Sequence, residues 1–358
     1  MNSSYADTEW LQSLPGFPRL QLALLLPTPL HRLQRFGEHI GGIDLWMKRD
    51  DLTGLAGGGN KTRKLEFIVG DAIRQGADTL VTVGAIQSNH TRQTAAAANR
   101  AGLACALLHC GWTGDAGLFY RRAGNILLSS LLGAELFLDE KERPIEDQGP
   151  LDVLFEHLRS RGQKPYLISG GASDQPYGGL GYAVCAAEMT VQAASMGIHI
   201  DYVVHCTGSS STQAGLVAGF AAMGSKTRVI GIPDDEETDI KSGRVLRLAN
   251  QTLEELDRPE RVGRENIEIV VGDESPYGKS DEKTYRSIRL FSEKEGLIAD
   301  PVYEGKAIRG LIELAEKGRF EKGAVVVLLH MGGTPAVHAY ADTFGPIEFK
   351  SIPGRRTL

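Results

Sequence analysis

The chain has 358 residues, a length that favours two packed domains over one small core. Hydrophobic residues make up 42% and charged residues 23%, as in an ordinary globular protein, and the net charge of -6 argues against a nucleic-acid partner. A local basic pocket for an anionic ligand stays compatible with that charge.

The N-terminal residues are polar, and the apolar run 22–26 is short and closed by Pro27. We therefore expect neither a signal peptide nor a membrane span. The four cysteines are widely spaced and form no C-x-x-C pair: Cys105, Cys110, Cys185 and Cys206. This spacing fits reduced thiols in the cytoplasm better than a disulfide framework or a structural zinc site, so we predict a cytoplasmic protein without a metal.

Strands and helices are predicted to alternate after an irregular, proline-rich start. The predicted strands are 44–48, 79–85, 104–109, 134–138, 166–169, 202–206, 228–232, 267–271 and 324–330. The predicted helices begin just after Lys61 and then cover 91–101, 119–132, 151–161, 182–195, 212–223, 241–256, 281–294 and 305–317, with an exposed loop at 139–149. Short apolar runs separated by helices are typical of parallel sheets covered on both faces.

A second series of strands and helices begins near Gly178. We therefore predict an α/β protein with two open, twisted, mostly parallel sheets covered by helices. Two such units packed face to face leave a cleft, and ligands of these sheets bind beyond the carboxyl ends of the strands.

Three glycines, Gly57 to Gly59, precede a helix whose first turn contains Lys61, Arg63 and Lys64. The positive end of the helix dipole repels cations, so a bound anion or a covalently used lysine explains them better than helix stability does. A phosphate loop of the G-x-x-x-x-G-K type is excluded because Asn60 is inserted before the lysine. A Schiff-base lysine and a solvated basic cap remain as alternatives.

Further polar clusters follow other predicted strands. The cluster 87–93 is wholly polar and contains no acid; it either binds an anionic ligand or, through Ser88 or Asn89, caps a helix. The stretch 207–215 is rich in serine and glycine and precedes a helix, as phosphate-binding turns do. The segments 300–306 and 330–335 bring Tyr303, Glu304 and Met331 near strand or helix ends.

Taken together, these residues resemble the family of 1-aminocyclopropane-1-carboxylate deaminases and D-cysteine desulfhydrases. The resemblance runs from about Phe17 to Phe344, and the most specific stretches are 58–66 and 86–89. It implies the tryptophan synthase β-subunit fold (fold type II), with pyridoxal 5'-phosphate in the cleft between a large domain of residues 1–63 and 174–358 and a small domain of residues 64–173. It also implies a homodimer.

The resemblance assigns roles position by position. Residues implied to bind the cofactor are Lys61 as the Schiff-base lysine, Lys64, Asn89, the phosphate loop Ser209, Ser210, Ser211 and Thr212, and Glu304 at the pyridine nitrogen. Residues implied to be catalytic are Lys61, Ser88, Tyr277 and Tyr303. Residues implied to contact the substrate are Ser88, Asn89, His90, Trp112, Tyr303, Met331 and Thr334.

The substrate is the open question of the resemblance. Glu304, Met331 and Trp112 favour deamination of 1-aminocyclopropane-1-carboxylate to 2-oxobutanoate and ammonia. His90, Thr334 and Ser210 depart from the deaminase pattern, and serine tolerates the positive φ that glycine would adopt at position 210 poorly. Desulfhydration of D-cysteine to pyruvate, sulfide and ammonia, β-elimination from cysteate, and a catalytically altered cofactor-binding protein stay open as alternatives.

Overall fold

The computed structural model describes residues 3–141, 147, 149–234 and 237–350. Its helices are α1 (Ser3–Ser13), α2 (Gln34–His39), α3 (Lys61–Arg74), α4 (Asn89–Ala101), α5 (Gly124–Leu131), α6 (Gly149–Ser160), α7 (Leu180–Ser195), α8 (Ser211–Ala222), α9 (Thr238–Glu255), α10 (Glu282–Glu295), α11 (Glu304–Glu316) and α12 (Thr334–Val337). Its strands are β1 (Leu30–Arg32), β2 (Asp44–Arg49), β3 (Thr79–Ala85), β4 (Ala104–Cys110), β5 (Glu135–Asp139), β6 (Pro165–Ile168), β7 (Tyr202–Thr207), β8 (Arg228–Pro233), β9 (Glu268–Ile269) and β10 (Val325–His330). The predicted loop at 139–149 lies largely outside the described residues.

The strands form two separate sheets. The larger has the order β1-β2-β10-β7-β8-β9 and is parallel except for β1, which pairs with β2 in the antiparallel sense. The smaller has the order β5-β4-β3-β6 and is parallel throughout. The predicted fold class is confirmed. The domain boundaries stay a prediction, with the strands of the small sheet all between residues 79 and 168.

The central strands of the larger sheet are buried along their whole length. Every residue of β7 and of β10 is buried, as expected for strands covered by helices on both faces. Helices α7 and α8 pack closely against each other because Gly219 on α8 has no side chain. A Cβ atom there would lie 2.8 Å from the Cα atom of Ala183.

A buried ion cluster fixes the start of α3 against β2 and α7. The Arg63 guanidinium donates to Asp50 at 2.7 and 2.9 Å and to Glu188 at 2.9 and 3.1 Å. Lys48 pairs with Glu188, and the Tyr182 hydroxyl donates to Asp50 at 2.7 Å. Arg63, one of the cations in the first turn of α3, is therefore neutralised by carboxylates, which offsets its repulsion by the helix dipole.

The predicted irregular start is confirmed for residues 14–29, but α1 precedes this stretch and β1 and α2 follow it. Leu11 on α1 and Phe36 on α2 are fully buried in the large core. The few apolar residues of α1 and α2 do not form a recognisable helical pattern in the sequence. Packing against the core stabilises these short helices.

The predicted helix 119–132 begins only at Gly124, whose φ is +66°. The side chain of Gln87 donates to the carbonyl oxygens of Tyr120 and Ala123 at 2.5 and 2.9 Å, which satisfies groups that a longer helix would have paired. The predicted strand 267–271 is reduced to β9 at the sheet edge, where β8 alone pairs with it. Within the described part of the chain, no helix is long and apolar enough to cross a membrane.

Candidate active site

A cavity of about 580 Å³ lies between the two sheets. Thr207 at the end of β7, Asp234 after β8, Met331 after β10 and Ala85 at the end of β3 all line it, so it occupies the carboxyl ends of strands from both sheets. The predicted site residues in its lining are Lys61, Ser88, Asn89, His90, Trp112, Ser209, Ser210, Thr212, Tyr277, Tyr303, Glu304 and Met331. Lys64, Ser211 and Thr334 are outside the lining.

Lys61 opens α3 directly after the glycine turn. Gly58 and Gly59 have φ values of +72° and +129°, and a Cβ on Gly59 would lie 2.6 Å from the Gln93 amide nitrogen, so glycine is required there. Burial lowers the pKa of the Lys61 ammonium to about 8, and the nearby Asp234 and Cys206 oppose that shift. A lysine that loses its proton this readily is suited to act as a nucleophile and a base.

Most of the polar cluster 87–93 holds the backbone in place. Arg92 donates to the carbonyl oxygen of Gly58 at 3.0 Å, and Gln93 accepts the N–H of Thr62 at 3.0 Å. Ser88 is the N-cap of α4, where its hydroxyl oxygen accepts the N–H groups of His90 and Thr91 at 3.2 and 3.3 Å. The capping alternative therefore holds for Ser88, whose side chain also borders the cavity.

His90 is buried and neutral. Burial lowers the pKa of its ring well below the usual range, and the positive charges of Lys61 and Lys64 act in the same direction. The Thr82 hydroxyl donates its single proton to the Ile168 carbonyl at 2.6 Å, so at 2.8 Å it must accept from Nε2 of His90. His90 thus offers the cavity no positive charge for a carboxylate.

Glu304 begins α11 in the cavity wall, and among the described residues only one of its two carboxyl oxygens has a hydrogen-bond partner. Its Oε1 accepts the N–H of Met331 at 3.0 Å, whereas Oε2 is buried without a hydrogen-bond partner among the described residues. Burial raises the pKa of Glu304 well above its usual range, and Asp300 adds to the rise. The orphaned oxygen fits a ring N–H donor such as a pyridinium, and such a partner would remove the cost of leaving it unpaired.

Two tyrosines of the cavity lining are hydrogen-bonded to each other. The hydroxyl oxygens of Tyr277 and Tyr303 lie 2.6 Å apart, and either can donate. Burial raises the pKa of Tyr303 well above its usual range, and Tyr277 and Asp234 act in the same direction. Tyr303 therefore keeps its proton, and its hydrogen bond with Tyr277 allows a proton to pass from one oxygen to the other.

The loop Ser209–Thr212 joins β7 to α8 and is fastened from the small-sheet side. Ser209 donates to the carbonyl of Gly171 and Ser211 to that of Ala172, both at 2.9 Å. Since the Ser211 proton is used there, Ser211 accepts from Lys64 at 2.8 Å. Lys64 and Ser211 therefore support the loop from outside the cavity lining. The start of α8, which the loop precedes, favours a bound anion.

Ser210 adopts the positive-φ conformation that serine tolerates poorly. Its φ is +69°, and its buried hydroxyl has no hydrogen-bond partner in the described part of the chain. The loop geometry is thus kept at a cost in backbone strain, and the oxygen atom is free to bind a ligand.

Asp234, Lys241 and Asp300 also line the cavity. Asp300 lies in the segment 300–306 singled out from the sequence, whereas Asp234 and Lys241 were missed. Asp234 follows the predicted strand 228–232 directly, so the strand-end rule that singled out the other clusters could have found it. Lys241 lies inside a helix without any local signal. No cluster of three or more metal-ligating side chains occurs among the residues that the structure describes.

The chain is similar to known proteins over nearly its whole length. A family model described as pyridoxal-phosphate dependent enzyme matches residues 22–332. The 1-aminocyclopropane-1-carboxylate deaminase of Burkholderia lata is 42% identical over 335 residues, covering 93% of this chain and 99% of that protein. The protein of the same name from Bradyrhizobium diazoefficiens is 42% identical over 321 residues, 89% of this chain and 95% of that protein. A solved structure described as an ACC deaminase homologue superposes with a TM-score of 0.84 at 33% identity, covering 96% of this chain and 99% of that one.

Proposed function

Because the chain belongs to the family of pyridoxal-phosphate dependent enzymes, we propose that it deaminates 1-aminocyclopropane-1-carboxylate to 2-oxobutanoate and ammonia. The single observation that carries the proposal is the cavity that gathers Lys61, Glu304 and the Tyr277–Tyr303 pair, in a chain 42% identical to deaminases of that name. The reaction consumes one water molecule, and all atoms of the substrate appear in the two products.

The cavity has a place for each part of the cofactor. Lys61 would hold it covalently, the loop 209–212 would receive its phosphate, and Oε2 of Glu304 would meet the ring nitrogen. Lys64 would act on the phosphate through Ser211. When bound, pyridoxal phosphate supplies an electron sink for bonds at the substrate's α-carbon.

The chain's own residues would then move the protons. The substrate carries no α-hydrogen, so opening its ring requires proton removal or nucleophilic attack at a ring methylene. Lys61 is suited to remove that proton because its pKa is already lowered to about 8. Tyr303 keeps its proton because burial raises its pKa, so it is suited to returning a proton, which Tyr277 at 2.6 Å can resupply. The nucleophilic route would require a base to take the Tyr303 proton first.

The substrate end of the cavity has an apolar wall. Met331 is buried, and its sulfur receives the Asn60 amide N–H at 3.6 Å, which holds the side chain in place. Dispersion contacts with a thioether suit the methylenes of a small ring. Trp112 lines the same cavity.

A homodimer in the cytoplasm is part of the proposal. The four cysteines are buried and none is joined in a disulfide, which supports a reducing compartment. Light scattering coupled to gel filtration tests the assembly, and a mass of one chain would refute the dimer.

The decisive experiment offers the cofactor-loaded protein 1-aminocyclopropane-1-carboxylate, D-cysteine and cysteate in parallel. We expect equal amounts of 2-oxobutanoate and ammonia from the first, at the highest specificity constant. The matched control is Lys61→Ala, which should release neither product. Pyruvate and sulfide formed from D-cysteine at a higher specificity constant would replace the deaminase proposal by a desulfhydrase.

A further inference from the structure

Lys241, on α9, reaches into the cavity wall from a part of the chain that carries no recognisable motif. Its ammonium donates to the carbonyl oxygen of Gly208 at 2.7 Å and to Oδ1 of Asp234 at 3.1 Å. The two side chains are only 2% and 7% exposed. A buried lysine is costly unless paired, so this contact is a built feature of the wall.

Asp234 and Gly208 are in direct contact. A Cβ atom on Gly208 would lie 2.6 Å from Oδ2 of Asp234, so the carboxylate packs directly against the chain at this glycine. Asp234 is itself fixed from behind, since Lys306 donates to its backbone carbonyl. Lys241 is thus held by an anchored carboxylate while its second hydrogen bond reaches Gly208.

The contact acts on the start of the loop 209–212. The carbonyl of Gly208 and the N–H of Ser209 belong to one planar trans peptide group, in which they point in opposite directions. A hydrogen bond from Lys241 to that carbonyl therefore sets the direction of the Ser209 N–H. On the other side, the loop is fixed by the hydroxyls of Ser209 and Ser211, which donate to the 171–172 turn.

The loop carries no charge of its own. Residues 208–212 are Gly-Ser-Ser-Ser-Thr, so the cations that balance a phosphate must come from elsewhere. Lys64 lies on one side of the loop through Ser211, and Lys241 lies on the other through Gly208. Cations near a phosphate add to the attraction exerted by backbone N–H groups and the helix dipole.

We infer that Lys241, held in place by Asp234, is a positioning residue for the phosphate-binding loop. The inference rests on the role proposed above for the loop 209–212 and adds two residues that no motif of the sequence contains. It is independent of which amino acid is the substrate, because it concerns cofactor binding alone.

The test compares two cofactors that differ only in the phosphate. The full-length protein is freed of cofactor by dialysis against hydroxylamine and titrated with pyridoxal 5'-phosphate and, separately, with pyridoxal, following the visible absorbance. In Lys241→Met we expect the dissociation constant for pyridoxal phosphate to rise roughly tenfold or more, because a charged hydrogen bond is lost, and that for pyridoxal to stay within about twofold. If this variant does not fold, Lys241→Gln is used with the same expectation, since glutamine is too short to reach Gly208.

Lys48→Met is the matched control. It removes another buried lysine that lies outside the cavity lining and whose hydrogen bonds go to Thr28, Glu188 and Gln192, so the ratio of the two dissociation constants should equal that of the unmodified protein. Equal weakening of both cofactors in Lys241→Met, or no change in either, overturns the inference. If Ser211→Ala loses the preference for pyridoxal phosphate over pyridoxal and Lys241→Met keeps it, the loop assignment stands and the role of Lys241 is refuted. An unmodified protein without that preference would instead refute the loop assignment.

Discussion

Oε1 of Glu304 accepts the backbone N–H of Met331 at 3.0 Å, which ties the first residue of α11 to the residue that follows β10. The bond fixes the carboxyl group in the cavity wall, and among the described residues Oε2 has no hydrogen-bond partner. Burial and Asp300 raise the pKa of Glu304 well above 4.5, which favours the protonated group in the cofactor-free protein. In this position Glu304 would hold the ring nitrogen of the cofactor, as the resemblance to the deaminases implies.

The first prediction concerns the pH dependence of stability. Above pH 4.5 the unfolded chain releases the Glu304 proton, whereas the folded chain keeps it, so the cofactor-free protein loses stability as the pH rises toward the folded pKa. Glu304→Gln should flatten this loss above pH 4.5, measured by urea unfolding at a series of pH values. Asp300, whose pKa burial also raises, leaves part of the slope in place. An unchanged slope would mean that Glu304 is ionised in the empty site.

The second prediction is that Glu304→Gln lowers the turnover of the enzyme. A charge-assisted contact that matters mainly in the transition state is worth about 2 to 4 kcal/mol, a factor of roughly thirty to a thousand in turnover. We expect KM to change much less than kcat, because substrate binding does not need the charge on the ring nitrogen. Turnover equal to that of the unmodified enzyme would reduce Glu304 to a helix-start acid.

The third prediction concerns attachment of the cofactor to Lys61. Its amine is a nucleophile when unprotonated, and its pKa is about 8, so the rate of covalent attachment should rise with pH and reach half its maximum near that value. Stopped-flow absorbance on the cofactor-free protein gives the rate. Borohydride reduction and peptide mapping should find the cofactor on Lys61, and a label on Lys64 would contradict the assignment.

Lys61→Ala is the matched variant for that experiment. It should remain folded and lose the covalent cofactor. Lys64→Met, by contrast, should still be labelled at Lys61, because Lys64 contacts Ser211 behind the loop.

How much of this site the sequence could predict depends on where the signals lie along the chain. Lys61 and the strand β3 were predicted at their observed positions, because glycine turns and apolar runs are local patterns. Lys241 was missed because its partner Gly208 is 33 residues away and nothing near either residue records the contact. The helix at 119–132 was predicted too long for a related reason, since Gln87 satisfies its carbonyls from another part of the chain.

The fourth prediction concerns backbone strain at Ser210. The φ of +69° costs a non-glycine residue about 1 to 2 kcal/mol, so Ser210→Gly should stabilise the cofactor-free protein by about 1 kcal/mol. Removing its unpaired buried hydroxyl acts in the same direction. Ser209→Gly is the control and should destabilise, because it loses the hydrogen bond to Gly171 at 2.9 Å. A destabilised Ser210→Gly variant would show that the serine conformation is not strained.

The last prediction tests the choice of substrate at Met331. Its buried side chain offers apolar contacts to ring methylenes but no strong hydrogen bond to a thiol, and such apolar preferences are worth only about 1 to 3 kcal/mol. Some activity on D-cysteine is compatible with that shallow discrimination. Replacing Met331 with Thr and Glu304 with Ser should shift the ratio of specificity constants toward D-cysteine by roughly tenfold, because hydroxyls are introduced and the sink at the ring nitrogen is weakened. Met331→Leu is the control and should keep the ratio within about threefold, since volume and apolarity are conserved. A ratio that already favours D-cysteine strongly in the unmodified enzyme would assign the chain to the desulfhydrase branch instead.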